Sequence, residues 1–274
     1  MSRRIGALLA VAALLAAGCG SGFDEERETA KPLKVAHASG ESKVPGQAER
    51  PLALSDGALD AILALRDRPV AALLPGGRAP AYLRRDGVEV GRALLGAHLL
   101  RVKVIDPDVI LGNKAVHGRL WERLSKIAPT VFSEGGIAAN WKLDLRLFGE
   151  ALGRTNDAEA LLKSWDRTAA RARVRLQSAE GTRVAVVRIV RGGLRVARPE
   201  AFPGKVLLDA GLVPAGEREG ADVVLVSRAP GAHASLARLG LREAIVIDDR
   251  LWWEGDGLLA ARAALRELER VLPQ

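Results

Sequence analysis

Residues 156–176, NDAEALLKSWDRTAARARVRL, carry Ala158, Leu161, Leu162, Trp165, Ala169, Ala172 and Leu176 at three- and four-residue steps, with no Gly or Pro in the stretch. That spacing puts the apolar side chains on one face of a single amphipathic helix. Thr155 or Asn156 suits its cap, Asp157 and Glu159 suit its positive end, and Gly181 lies just beyond it. At 1.5 Å per residue it forms a rod of about 30 Å, the width of a small domain.

Shorter apolar runs flank this rod on both sides. The runs 33–44 around Ser39-Gly40 read as a hairpin, followed by a strand at 51–54, a helix at 56–65 and a strand at 70–74. Pro75-Gly76-Gly77 opens a loop. Residues 104–111 (VIDPDVIL) read as a strand entered through Pro107, 120–127 as a helix and 129–132 as a strand. Residues 142–152 form a helix with Leu143, Leu147, Phe148, Ala151 and Leu152 inward and Gly153 as its stop. After the rod come strands at 183–190 and 193–196, a helix at 204–212, strands at 222–226 and 244–247 with one helical turn at 235–239 between them, and a closing helix at 257–272. Continuous runs such as Val109-Ile110-Leu111 are typical of parallel strands covered on both faces. The pattern predicts an α/β protein: two Rossmann-like lobes with parallel-type sheets joined by one long helix, and a ligand in the cleft between them.

A length of 274 residues is comfortable for two domains. Boundaries are expected at 1–18 (signal peptide), 19–32 (lipidated tether), 33–154 (N-terminal lobe), 155–178 (connecting helix) and 179–274 (C-terminal lobe). The leader reading rests on the basic Met1–Arg4, the apolar Ile5–Leu15, too short to span a bilayer, and Leu15-Ala16-Ala17-Gly18 before Cys19. Cys19 is the only cysteine, so there is no internal disulfide. Small residues before it resemble a bacterial lipobox, in which the cysteine is lipidated and holds the protein on the extracytoplasmic face of the cell membrane. The net charge of +8 comes from thinly spread Arg residues, many beside Glu or Asp as in EREG and RELER. No basic run is interleaved with aromatics, so nucleic acid is not expected as a partner.

The segments LKVAHASGESKVPGQAERPLALSDGALDAILAL, RAPAYL, IDPDVILGNKAVHGRLWERLSKIAPTVF and NWKLDLRLFGEALGRTNDAEALL resemble iron–siderophore binding proteins of ABC transporters. VAVVRIVRGGLRV, VLLDAGL and RLWWEGDGLLAARAALRELERVL continue the likeness in the same order. The resemblance implies the helical-backbone type of metal and siderophore receptor, a monomer that captures a ferric siderophore and passes it to an ABC permease and its ATPase. Such proteins place a Glu on each lobe to meet the permease; the matching positions here are Leu100 and Leu208, with Asp209, Glu217 and Glu219 nearby.

Ligands of open parallel sheets bind beyond the carboxyl ends of the strands. Arg78, Tyr82, Lys114, His117, Trp141, Trp252 and Trp253 follow predicted strands, Arg188 and Arg195 lie in the VVRIVRGGLR segment, and all nine are the candidate ligand contacts. Arg forks onto paired oxygens, Lys supplies a point charge and Trp supplies a flat apolar wall with one donor. In the resembled family the residue matching Arg188 touches ligand, and Trp141 and Trp253 come next. Of Trp252 and Trp253, one is expected in the core and one in the cleft, while Trp121 and Trp165 read as packing. Haem or a corrinoid is an alternative ligand, and a surface lipoprotein that senses a ligand without feeding a permease is an alternative role. The four His are scattered, so no metal site is expected, and no resident cofactor is expected either. No G-x-S-x-G, P-loop or H-E-x-x-H is present, so no enzyme is expected.

Overall fold

The computed structural model describes residues 31–84, 87–92, 99–136 and 139–272. The expected signal peptide, Cys19 and nearly all of the tether lie outside the described residues, as does His98. In the N-terminal half the elements are β1 (Leu33–His37), β2 (Gly40–Val44), β3 (Pro51–Ala53), α1 (Asp56–Ala64), β4 (Ala71–Leu74), β5 (Val90–Arg92), α2 (Leu99–Ile105), β6 (Val109–Asn113), α3 (Lys114–His117), α4 (Trp121–Leu124), β7 (Thr130–Ser133) and α5 (Trp141–Ala151). The long helix α6 (Thr155–Arg175) follows. Then come β8 (Arg183–Val190), β9 (Gly193–Val196), α7 (Phe202–Asp209), β10 (Val213–Ala215), β11 (Val223–Arg228), β12 (Ile245–Val246), α8 (Asp249–Trp253) and α9 (Leu258–Val271).

Two sheets flank α6 in sequence. The first has the order β5-β4-β3-β6-β7, with every pair parallel. The second has the order β10-β8-β11-β12, also parallel. The long strand β8 is shared: Arg183–Ala185 pair with β10, and Val187–Val190 pair with the antiparallel β9. The hairpin β1–β2 packs on the first sheet, where Ser42 Oγ donates to Thr130 O at 2.9 Å.

Both sheets are covered on both faces, and strict alternation shows it. Ala53, Ala72, Leu74, Val109, Leu111 and Val131 point into one apolar cluster; Leu52, Leu73, Ile110 and Phe132 point into another. In β8, Val184 and Val186 join the first cluster, whereas Ala185, Val187 and Ile189 face a third. Successive strand side chains point to opposite faces; the first sheet packs on α1 and α5 of its own half and β10 of the second on α7, while the halves meet through α1, α5 and α9. The central cluster also holds Ala158, Leu162, Trp165, Ala169 and Ala172 of α6 and Leu258, Ala261, Leu265 and Leu268 of α9. The halves therefore share one continuous core. They are joined by the rod and also pack directly on each other, as α1 does on α9.

The helix α6 runs unbroken, and its buried face matches the predicted apolar positions except Leu161, which is half-buried. Elsewhere the pattern misled. Residues 104–106 belong to α2 and the turn after it, not to a strand: Asp106 sits in the left-handed region at φ 53° and ends the helix, and the strand starts at Val109. Val104 is 84% exposed there. In α5 the inward residues are Trp141, Asp144, Leu145, Phe148 and Ala151, while Leu143 is 56% exposed. The strands β5 and β10 and the helices α2 and α8 are short and carry no strong periodic signal. Gly153 does end α5, at φ 71°, and a Cβ there would lie 2.1 Å from Gly46 O. Gly153→Ala is expected to lower stability by more than about 2 kcal/mol, combining left-handed strain with a backbone clash, read as a shift of the urea midpoint.

Candidate functional site

The carboxyl ends of the parallel strands open toward the junction of the two halves. From the first half the turn after β4 brings Arg78 to Tyr82; from the second the segment after β12 brings Asp248 to Leu251. Together with Ala79, Ala81 and Arg84 they line a cavity of about 450 Å³. Arg250 Nη2 crosses it to donate to Arg78 O at 3.2 Å.

Behind this cavity stands an ion-pair network. Arg188 Nε donates to Asp249 Oδ1 at 2.8 Å and Nη2 to Asp249 Oδ2 at 2.5 Å, a two-pronged fit that its planar fork favours. Ser227 Oγ donates to the same Oδ1 at 2.9 Å. Glu254 lies 3.9 Å from Arg188 and accepts from Arg250 Nε at 2.7 Å. The Arg188 guanidinium also sits 5.7 Å from the centre of the Trp253 ring, within cation–π range. Arg188, predicted as a ligand fork, thus spends its charge on Asp249, with Trp253 packed beside it.

Where α1 meets α9 lies a floor of buried carboxylates, in which Asp60 of α1 receives the first amides of α9: Leu259 N on Oδ1 and Ala260 N on Oδ2, both at 2.9 Å. These bonds join residues about two hundred positions apart and tie the two halves together. Burial pushes the Asp60 carboxyl up to about 7, against the lowering effect of those amides. Burial likewise raises Asp56 and Asp256 to about 6 and Asp144 to about 7. Burial, with the negative charge of these neighbours, raises the Tyr82 hydroxyl too. At the far end Lys205 of α7 donates to Ala139 O across the junction, and Lys142 pairs with Asp209 at 2.8 Å.

The predicted residues divide. Arg78 and Tyr82 line the cavity, while Arg188, with Trp253 beside it, reaches only the cavity's Asp249. Arg195 is exposed and lies directly opposite Arg188 in the β8–β9 ladder. Lys114 is exposed, 3.9 Å from Glu134, and away from the cavity lining. His117 is buried against Phe132 with its Nδ1 held by Asn113, and burial lowers its pKa. Trp141 is corrected from cleft to core: it is 1% exposed and meets Trp165 edge-on at 5.3 Å. Trp252 is the core member of its pair, donating to Glu267 at 2.7 Å, and Trp253 is the half-buried one. The carboxylates of the floor and network were missed. A signal existed for Asp60, the lone charge on the apolar face ALDAIL of α1.

Both halves, their parallel sheets and the single joining helix are a known arrangement. The family model described as a periplasmic binding protein matches residues 101–230. Over those residues the chain is similar to that family. It is 30% identical over 192 residues to a probable siderophore-binding lipoprotein, YfiY, of Bacillus subtilis, covering 68% of this chain and 59% of that one. It is 28% identical over 171 residues to the achromobactin-binding periplasmic protein of Dickeya dadantii, covering 60% of this chain and 55% of the relative. The chain thus spans somewhat over half the length of these curated relatives. Staphylococcus aureus SirA complexed with staphyloferrin B has the same fold, with a TM-score of 0.73 at 21% identity over 87% of this chain and 97% of that chain. So has a periplasmic solute binding protein of Mycobacterium smegmatis, with a TM-score of 0.74 at 21% identity over 87% and 96%.

Proposed function

We propose that this protein is the extracytoplasmic substrate-binding component of an ABC importer and captures a ferric siderophore in the groove between its halves. The observation that carries the reading is the cavity formed jointly by the turn after β4 and the segment after β12, backed by the Arg188–Asp249–Trp253 arrangement. The curated relatives named for siderophore binding support the ligand class. Arg78 and Tyr82 line the cavity, and Trp253, with Arg188 over its ring, is the proposed flat wall beside it. Cys19 is the proposed site of lipid attachment, and among the described residues no helix is long and apolar enough to cross a membrane. A permease is the proposed partner. Leu100 and Leu208, the positions that the resemblance matches to docking glutamates, are 73% and 52% exposed, so the proposed docking there is apolar on this protein's side.

The test is intrinsic fluorescence. A panel of ferric hydroxamates, catecholates and carboxylates is titrated into the protein, and at least one is expected to quench tryptophan emission with saturation. Arg188→Ala is expected to weaken that complex about tenfold, close to 1.4 kcal/mol, because Asp249 is left unpaired beside the ligand wall. A panel that leaves both emission and melting temperature unmoved removes the siderophore assignment.

A further inference from the structure

The helix α2 turns an apolar crest to solvent. At about 100° per residue, Leu100 and Val104 stand about 40° apart, on the side of the helix opposite Val102. Val102 is fully buried, in one cluster with Leu73, Ile110 and Phe132 of the first sheet. Leu100 is 73% exposed and Val104 84%, the highest values for large apolar side chains among the described residues. A single exposed leucine is ordinary on a protein surface. Two such side chains one turn apart, on a helix whose other side is core, make a stripe.

Cations flank that stripe. On the same helical wheel Arg101 and Lys103 fall to either side of it, and both are exposed. No acidic side chain lies within α2. Arg101 meets Glu89 at 3.0 Å, but both side chains are largely in solvent, where such a pair is weak and a phosphate can replace the carboxylate. Arg50 stands at the end of the helix, donating to Ile105 O and Asp106 O. An apolar crest with long cationic side chains on both flanks suits a helix lying on an anionic lipid surface. The crest enters the boundary between headgroups and acyl chains, and the cations stay at the phosphates.

The length of chain before β1 keeps such a surface within reach. Residues 20–32 separate Cys19 from β1, and fully extended they reach at most about 45 Å. With the anchor supplying a high local concentration of bilayer, a contact too weak to hold a free protein is enough. We propose that α2 is a membrane-contact helix, which rests Leu100 and Val104 on an anionic bilayer with Arg101 and Lys103 at lipid phosphates, and so fixes how the anchored protein lies. This rests on the lipid proposed at Cys19 and adds an orientation to it. The proposed permease lies in the same bilayer, so α2 meets the lipid around it.

The chain from residue 19 onward, which keeps every described residue, is coupled through Cys19, its only thiol, to vesicles bearing a maleimide lipid. The vesicles are phosphatidylcholine alone or mixed with phosphatidylglycerol, carry brominated acyl chains and hold no permease, so any contact is with lipid. In Leu100→Trp the added tryptophan is expected to lose roughly half its emission or more on the mixed vesicles and almost none on phosphatidylcholine alone. Val246→Trp, on β12 of the second half and 64% exposed, is the control and is expected to stay bright. Arg101→Gln with Lys103→Gln, or added salt, is expected to restore the emission of Leu100→Trp. A melting curve checks that each variant is folded. Leu100→Trp left unquenched on the mixed vesicles overturns the membrane contact. Equal quenching on phosphatidylcholine alone, or of Val246→Trp to the same extent, overturns it as well. The maleimide link makes the result independent of lipid attachment in the cell, which the mass of the membrane-extracted protein reads separately. Siderophore capture is read by the ligand panel and stands or falls there.

Discussion

Trp165→Ala is expected to destabilise the protein by about 3–5 kcal/mol, the range for truncating a fully buried large aromatic. For a chain of this size that corresponds to a fall in melting temperature of roughly 10 °C. Trp165 has no exposed surface, lies edge-on to Trp141 with ring planes at 89°, and sits midway along α6. Its Nε1 donates to Asp209 Oδ2 at 2.8 Å, and Asp209 also receives Lys142 of α5. One side chain therefore connects the rod, the last helix of the first half and α7 of the second. Trp165→Phe keeps most of the packing and loses one hydrogen bond to a carboxylate, so about 1.5–3 kcal/mol is expected. Thermal unfolding followed by circular dichroism checks both. A loss under about 1 kcal/mol for the alanine variant contradicts the role given to the rod.

Stability is expected to be higher at pH 5 than at pH 8, by at least about 2 kcal/mol, taking about 1.4 kcal/mol per unit of pKa shift. The cause is the buried carboxylate floor. Asp60 and Asp144 are raised to about 7, and Asp56 and Asp256 to about 6, chiefly by burial. Above the ordinary aspartate range and below about 7, the folded protein holds protons that the unfolded chain has released. The stabilising contribution is thus full at low pH and is lost as the pH rises through about 6 to 7. Asp60→Asn removes one titrating group and is expected to flatten the profile while lowering stability overall, since Asn offers one oxygen where two amides of α9 need acceptors. Urea unfolding at the two pH values is the measurement. Equal stability, or more at pH 8, shows that these groups are ionised at little cost.

The same residues show what the sequence could convey about the site. Tyr82 and Trp253 follow strands that the pattern marks and Arg188 lies within one, and parallel strands send their carboxyl ends to one edge. Trp141 looked identical by that rule, yet it turns inward because α5 begins at that very residue and its first turn packs on α6. Whether a side chain at a strand end faces a groove or a core depends on the direction of the following helix, which spacing does not encode. Asp249, Glu254 and Asp256 were not visible, since acidic residues in a loop look the same whether solvated or paired.

By itself the sequence determined the local elements and their order: the unbroken amphipathic rod, the buried-type strands, the glycine after α5 and the α/β alternation. These follow from residue-by-residue preferences and from periods of 2 and 3.6, which need no distant partner. Only the tertiary structure decided that the halves share a core, that Asp60 caps a helix from the far end of the chain, and that Arg188 is already bound to Asp249. Those are contacts between residues tens to hundreds of positions apart, set by which faces two sheets and a rod turn toward each other.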